Sequence, residues 1–147
     1  MKPVGKRDVM LISTKGRYAL RVMADLAAHD EAGYVPLKEI AVRQGISEKY
    51  MESIIVSLSR AGLVIGLRGK GGGYRLAKKP EECCVATILE LTDGSLAPVS
   101  CMEHQPCDCA RVGDCKTRPL WEGLGRRINA YLEGITLADV VNGTIPE

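Results

Sequence analysis

Gly45-Ile-Ser-Glu-Lys-Tyr-Met-Glu-Ser-Ile-Ile-Val-Ser-Leu-Ser-Arg-Ala61 carries the cleanest helical periodicity in the chain. At about 100° per residue, Tyr50, Met51, Ile54, Ile55, Leu58 and Ala61 fall within one arc, and Lys49, Glu52, Ser53, Val56 and Arg60 fall opposite. Gly45-Ile46-Ser47 makes a tight corner in front of this helix, and the Ser47 hydroxyl is placed to cap it. Upstream, Pro36 opens a shorter apolar stripe of Leu37, Ile40 and Ala41 that ends at Gln44. Further upstream a helix starts at Thr14, with Tyr18, Ala19, Val22, Met23, Leu26 and Ala27 on its buried side and Arg17 and Arg21 on its wet side. A short helix, a glycine corner and an amphipathic second helix is the helix-turn-helix plan, whose second helix enters the major groove of DNA by its N-terminal turns. A helical pair packed into some other core would share the pattern, so the sequence that follows decides between them.

Val64 to Arg68 and Tyr74 to Ala77 read as two strands joined by Gly69-Lys70-Gly71-Gly72-Gly73. A glycine-rich tip flanked by Arg68, Lys70 and Arg75 has both the shape and the charge of a wing. The glycines let backbone approach a phosphate ridge, and Arg68 and Lys70 are placed to enter a narrow minor groove. A nucleotide-phosphate loop is excluded in detail: Lys70 is followed by glycine rather than Ser or Thr, and Tyr74 stands where the third glycine of GxGxxG belongs.

Charge divides the chain in the same way. The 147 residues carry a net charge of only +2, with 46% hydrophobic residues, enough for a core without disulfide staples. Residues 1–80 hold 15 Lys and Arg against 7 Asp and Glu, whereas residues 81–147 hold 5 against 11. The basic half suits a polyanion; the acidic half suits assembly or sensing. No apolar run approaches the ~20 residues a bilayer needs, and the run behind Lys2, Lys6 and Arg7, Val9 to Ile12, is too short for a signal-peptide core. A cytoplasmic, non-membrane protein is expected. Its six cysteines are then reduced, and serve as ligands or redox groups more readily than as bridges.

Cys83 and Cys84 stand just before a short linker helix, Val85 to about Asp93, where adjacent cysteines act as small packed residues. Between Cys101 and Cys115 the pattern differs. Cys101, His104, Cys107, Cys109 and Cys115 lie amid Pro98, Pro106, Gly113 and acidic residues that deny the segment a regular fold. Three chemistries fit: structural zinc, an iron-sulfur cluster, or thiols switching through a disulfide. The intervals of five, one and five residues are wide for zinc pairs and suit a cluster, which spreads its thiolates over several irons.

From Pro119 follows the longest helical pattern, with Leu120, Trp121, Leu124, Ile128, Tyr131, Leu132 and Ile135 on one side. The steps from Leu124 through Ile128 and Tyr131 to Ile135 approximate a coiled-coil seam, which predicts a dimerisation helix over 119–135. Thr136 to Asp139 has the spacing of a capping box for a last short helix through Val141. No Ser-His-Asp arrangement or carboxylate pair suggests an enzyme. A cluster carrier or assembly factor that binds no DNA is the contrasting class, but it leaves the basic wing unexplained.

Taken in order, Ser13-Thr-Lys-Gly-Arg-Tyr-Ala19, Gly45-Ile-Ser47, Arg68-Gly-Lys-Gly-Gly-Gly-Tyr74, the Cys101–Cys115 loop, Arg118-Pro-Leu-Trp121 and Ile135-Thr-Leu-Ala-Asp-Val140 resemble the Rrf-type family of bacterial winged-helix regulators, closest to its IscR-like iron-sulfur members. The resemblance spans about residues 10–143. The resemblance, joined to the elements read above, gives a mainly α fold: a leader over 1–12, a winged helix-turn-helix over 13–80, and a linker helix, cluster loop (95–118) and dimerisation helix over 81–147. It implies a homodimeric repressor or activator on double-stranded operator DNA, sensing cluster, iron, redox or nitrosative status. By position, Cys101, Cys109 and Cys115 would hold the cluster, 2Fe-2S first and 4Fe-4S as the alternative. Where IscR-like sequences place a ligand histidine, this chain has Arg118, so the fourth ligand stays open among His104, Cys107, Asp108 and a partner-subunit group. The expected DNA-contacting residues are Lys15, Arg17, Lys49, Glu52, Ser53, Arg60, Arg68, Lys70 and Arg75, with Glu52 discriminating between operator classes.

Overall fold

The computed structural model describes residues 12–147 except 105, 106 and 108. Six α-helices and one hairpin follow in order: α1 (Thr14–Ala28), α2 (Leu37–Gln44), α3 (Glu48–Arg60), β1 (Val64–Leu67), β2 (Gly73–Leu76), α4 (Val85–Asp93), α5 (Arg118–Glu133) and α6 (Leu137–Asn142). Short 3-10 turns lie at Asp30–Ala32, Pro80–Glu82 and Ser100–Met102. This is the mainly helical fold with a two-stranded wing that the sequence predicts.

Each helix of the front end is set by local chemistry. Ser13 caps α1, its Oγ accepting from Gly16 N at 2.9 Å, and Ser47 caps α3 by accepting from Tyr50 N at 3.2 Å. Pro36 stands at the start of α2, and Gly45, at φ 63°, closes it in the left-handed conformation that glycine adopts without strain. The apolar faces then meet. Met23, Leu26, Ile40, Met51, Ile54, Ile55 and Leu58 are all essentially inaccessible in one core. Burying each such side chain stabilises the fold by about 1.5–3 kcal/mol before entropy is counted.

The wing strands pair antiparallel with Val64 opposite Leu76 and Leu67 opposite Gly73. Their ends differ by one residue from the sequence reading: Arg68 belongs to the tip rather than to β1, and β2 starts at Gly73 and stops before Ala77. A rung absent from the sequence reading extends the sheet, because Val35 and Tyr74 exchange backbone hydrogen bonds, each at 2.8 Å. That contact requires glycine at 73. Its φ is 154°, and a Cβ there would stand 2.3 Å from the Val35 carbonyl oxygen.

The core does not stop at residue 80. Cys83, Ile88 and Leu137 belong to the same buried cluster as α1 and α3, with α4 and α6 both packed on α1. A second, smaller cluster unites Val85, Leu89, Leu96 and Ile135. Two sequence expectations change here. Ile12, assigned to the leader, packs partly buried against this cluster, while residues 1–11 lie outside the described residues. Ile135, expected on an outward seam, is buried, because α5 ends at Glu133 and the chain turns inward to pair with Val85, whose N–H donates to Ile135 O at 2.9 Å. The capping box forms as expected: Thr136 Oγ1 accepts from Asp139 N at 3.2 Å, and Asp139 Oδ2 accepts from Thr136 N at 2.9 Å.

Candidate nucleic-acid interface and cysteine pocket

Lys49, Glu52, Ser53, Val56 and Arg60 all lie exposed on the outer side of α3, as its periodicity requires. Ser53 Oγ donates to Tyr50 O at 2.7 Å, so its hydroxyl proton is already used within the helix and its lone pairs face outward. Beneath the corner, a half-buried ion pair ties α2 to α1. Asp25 of α1 is 6% exposed and receives Arg43 Nη2 at 2.7 Å, Arg43 Nε at 3.0 Å and Gln44 Nε2 at 2.8 Å. Burial alone would raise the Asp25 carboxyl, but the hydrogen bonds from Arg43 and Gln44 outweigh it and hold the group below the usual carboxylate range. Arg21 adds a second clamp, donating to Gln44 O at 2.6 Å while its guanidinium lies 5.3 Å from the Tyr18 ring. Tyr18 in turn meets Tyr50 of α3 edge-on, with centroids 5.8 Å apart. Arg21, Asp25 and Arg43 therefore tie α2 to α1, and the Tyr18–Tyr50 pair ties α1 to α3. The sequence reading gave Asp25 and Arg43 no role, since nothing in their spacing marks a pair 18 residues apart.

Arg68 and Lys70 are exposed at the wing tip. Arg75 is exposed at the wing root, with its guanidinium 5.3 Å from the ring of Tyr34. Lys15 and Arg17 stand in the first turns of α1. That end of α1 is tied to the end of α4: Ser13 N donates to Asp93 Oδ2 at 2.8 Å, and the Ser13 hydroxyl bonds the other carboxylate oxygen. Gly16 faces the same carboxylate, where a Cβ would come within 2.5 Å of Asp93 Oδ2. Asp93 thus joins the segment leading to the cysteine loop with the start of the basic face, a link that a single aspartate at a helix end does not announce in sequence.

The cysteine loop follows this same C-terminal end of α4. Cys101, Cys107, Cys109 and Cys115 line one small cavity of about 70 Å³, walled by Met102, Val112, Thr117, Arg118 and Trp121. His104 is exposed and is not among the side chains lining it. Asp108 lies outside the described residues. All six cysteines are free, and among the described residues no three His, Cys, Asp or Glu side chains are grouped to hold a single metal ion. Cys115 sits just before α5, and its Sγ lies 3.4 Å from Thr117 Oγ1. Hydrogen bonds from the Thr117 hydroxyl, then from the backbone N–H groups of Thr117 and Arg118, hold its thiol below the ordinary range. Burial pushes Cys83 the other way, as expected of a packed residue. Cys84 Sγ lies 3.5 Å from Glu133 O, where the start of α4 meets the end of α5. Trp121, read from the sequence as part of the apolar side of this helix, lines the cysteine cavity.

The Rrf2 family, described as iron-dependent transcriptional regulators, matches residues 12–143. The chain belongs to the Rrf2 family. Among curated Rrf2-like relatives, the HTH-type transcriptional regulator IscR of Aliivibrio salmonicida is 42% identical over 132 residues, covering 90% of this chain and 77% of the relative. IscR of Serratia proteamaculans is also 42% identical, over 134 residues, covering 90% of this chain and 80% of its own. Of solved structures, T. potens IscR superposes with a TM-score of 0.75 at 37% identity, covering 93% of this chain and 90% of its own. CymR, the global cysteine regulator of B. subtilis, gives 0.76 at 34% identity over 90% of this chain and 96% of its own. This Rrf2 chain is therefore a DNA-binding transcriptional regulator of the IscR type, with DNA as partner, and not an enzyme. Among its described residues no helix is long and apolar enough to cross a membrane.

Proposed function

We propose that the chain is a cytoplasmic, homodimeric operator-binding regulator whose state is set by an iron-sulfur cluster held in the cysteine pocket. The observation that carries this reading is the convergence of four thiols on one cavity at the N-terminus of α5. Elsewhere on α5, Leu120, Leu124 and Tyr131 are 62%, 41% and 51% exposed. Those three side chains are the seam for a second copy, with Ile135 removed from it. The residues fit the group: thiolates are the ligands that iron-sulfur chemistry requires, and Met102, Val112 and Trp121 supply an apolar wall. When bound, the cluster supplies redox and nitric-oxide-sensitive chemistry at the pocket, as 2Fe-2S with 4Fe-4S as the alternative.

The chain's own residues do the rest. Cys101, Cys109 and Cys115 serve as ligands, each giving up its proton to solvent. Paired subunits present their α3 helices to successive major grooves of a near-palindromic site. Lys49 and Ser53 address base edges, and Glu52 accepts from a cytosine amino group. Lys15, Arg17, Arg60 and Arg75 contact phosphates, and Arg68 and Lys70 occupy the flanking minor groove, so binding weakens steeply with salt. The pocket reaches the basic face through α4, whose Asp93 holds Ser13 at the start of α1.

Anaerobic isolation tests the reading. Expected is a coloured protein containing iron and acid-labile sulfide, whose visible absorbance disappears when Cys101, Cys109 and Cys115 are all replaced by Ser. A colourless protein with stoichiometric zinc, or one whose only response to oxidant is a disulfide, overturns it.

A further inference from the structure

We infer that Cys107 is the fourth ligand of the cluster site, so that four thiolates from one chain hold the group and the Arg118 guanidinium offsets their charge. The inference rests on the iron-sulfur reading above and concerns which side chain completes it.

Three observations carry it. Cys107 lines the same 70 Å³ cavity as Cys101, Cys109 and Cys115. His104, the imidazole of the loop, is exposed and does not line that cavity. Arg118 does line it but cannot ligate, because a guanidinium keeps its protons and offers no lone pair. What Arg118 contributes instead is a fixed positive charge. Its Nε donates to Glu122 Oε1 at 2.6 Å and its Nη1 to Val112 O at 3.2 Å, which anchors the guanidinium at the cavity wall.

The chemistry is self-consistent. Four thiolates bring one more negative charge to the irons than three thiolates and a neutral imidazole, and a cation beside them compensates for it. Loading forms four S–Fe bonds, and the four thiol protons leave to water. Replacing thiolate by imidazole raises a cluster's reduction potential, as in Rieske centres. An all-thiolate site therefore reduces at lower potential and, lacking a titrating imidazole, at a potential that does not vary with pH.

The test uses the full chain, reconstituted anaerobically with ferrous iron and sulfide and reduced with dithionite. Wild type, C107S, C107A and H104A are compared by Mössbauer and pulsed EPR spectroscopy, with circular dichroism monitoring the fold. Expected are no directly coordinated nitrogen in the wild type, a midpoint potential flat from pH 6 to 9, and H104A spectra indistinguishable from wild type. C107S is expected to change the iron spectra or lose iron at unchanged helicity, and C107A to lose iron. A nitrogen coupling that disappears in H104A overturns the inference, as does a C107S protein with wild-type spectra, or a nitrogen coupling that survives in H104A and points to the partner subunit. Those results leave the cluster reading standing, whereas a wild-type protein free of iron and sulfide removes both.

Discussion

The front end over residues 13–80 and the loop over residues 95–118 are built on opposite principles. In the front end nearly every turn is dictated by packing or by a backbone contact, and its core side chains are closed to solvent. In the loop no described residue from Ala97 to Arg118 is buried. What the loop has instead is four thiols on one cavity. A segment without a core of its own takes its order from what it binds, since ligand binding and folding then draw on the same free energy.

Paired glycine substitutions expose this difference most strongly. A Cβ at Gly73 would meet the Val35 backbone at 2.3 Å, whereas one at Gly113 meets nothing within 4 Å. Gly73→Ala should cost about 2 kcal/mol or more in denaturant unfolding, with the wing detached from Val35, and Gly113→Ala about 0.5 kcal/mol or less in either direction. Comparable losses at the two sites would show that the loop is as tightly built as the wing.

Arg43→Ala should follow in size. It leaves the Asp25 carboxylate, whose side chain is 3% exposed, with the Gln44 hydrogen bond but no counter-charge from Arg43, which is itself 32% exposed, so the loss is expected at about 2–3 kcal/mol rather than the larger values of fully buried pairs. The sign with pH is fixed: the folded Asp25 carboxyl lies below its unfolded value of 3.8, so the pair's contribution is fully present above that value and is lost as pH falls through the folded one. Thermal unfolding at pH 7 and pH 3 checks both, since the penalty of the variant should shrink at the lower pH.

Smaller effects belong to the DNA surface itself. Arg68→Ala should weaken operator binding by about 1–3 kcal/mol if the side chain reads a base edge, and should lower the salt slope by about one unit if it contacts only phosphate. A salt titration by fluorescence anisotropy distinguishes the two. Glu52→Ala should leave total affinity nearly unchanged while altering the sequences recovered in a binding-site selection. An unchanged preference would take Glu52 out of base recognition.

The same contrast explains what the sequence made legible. Periodicity found α1, α3 and the wing because burial imposes a repeat on side-chain type, and turn chemistry found Ser47, Gly45 and the Thr136 box because those positions have few chemical solutions. It missed contacts between single residues far apart in sequence: Val35 with Tyr74, Asp25 with Arg43, and Asp93 with Ser13. It misplaced Ile135 for a related reason, since a helical step of four continues on paper past the residue where the helix ends. In the loop, spacing alone left four candidates for the last ligand, because a segment without regular structure gives sequence distance no fixed meaning in space. Only the cavity separates Cys107 from His104.

If the cysteine pocket governs the grip of the winged front end, loading it must change the strength of DNA binding. The most direct measurement is the affinity of one labelled duplex, recovered by binding-site selection, for cluster-loaded and cluster-free protein at the same salt. Expected are affinities that differ by about 5- to 150-fold, the range of a coupling of about 1–3 kcal/mol. Equal affinities for every selected duplex, with the cluster shown to be present in one sample and absent from the other, would contradict it.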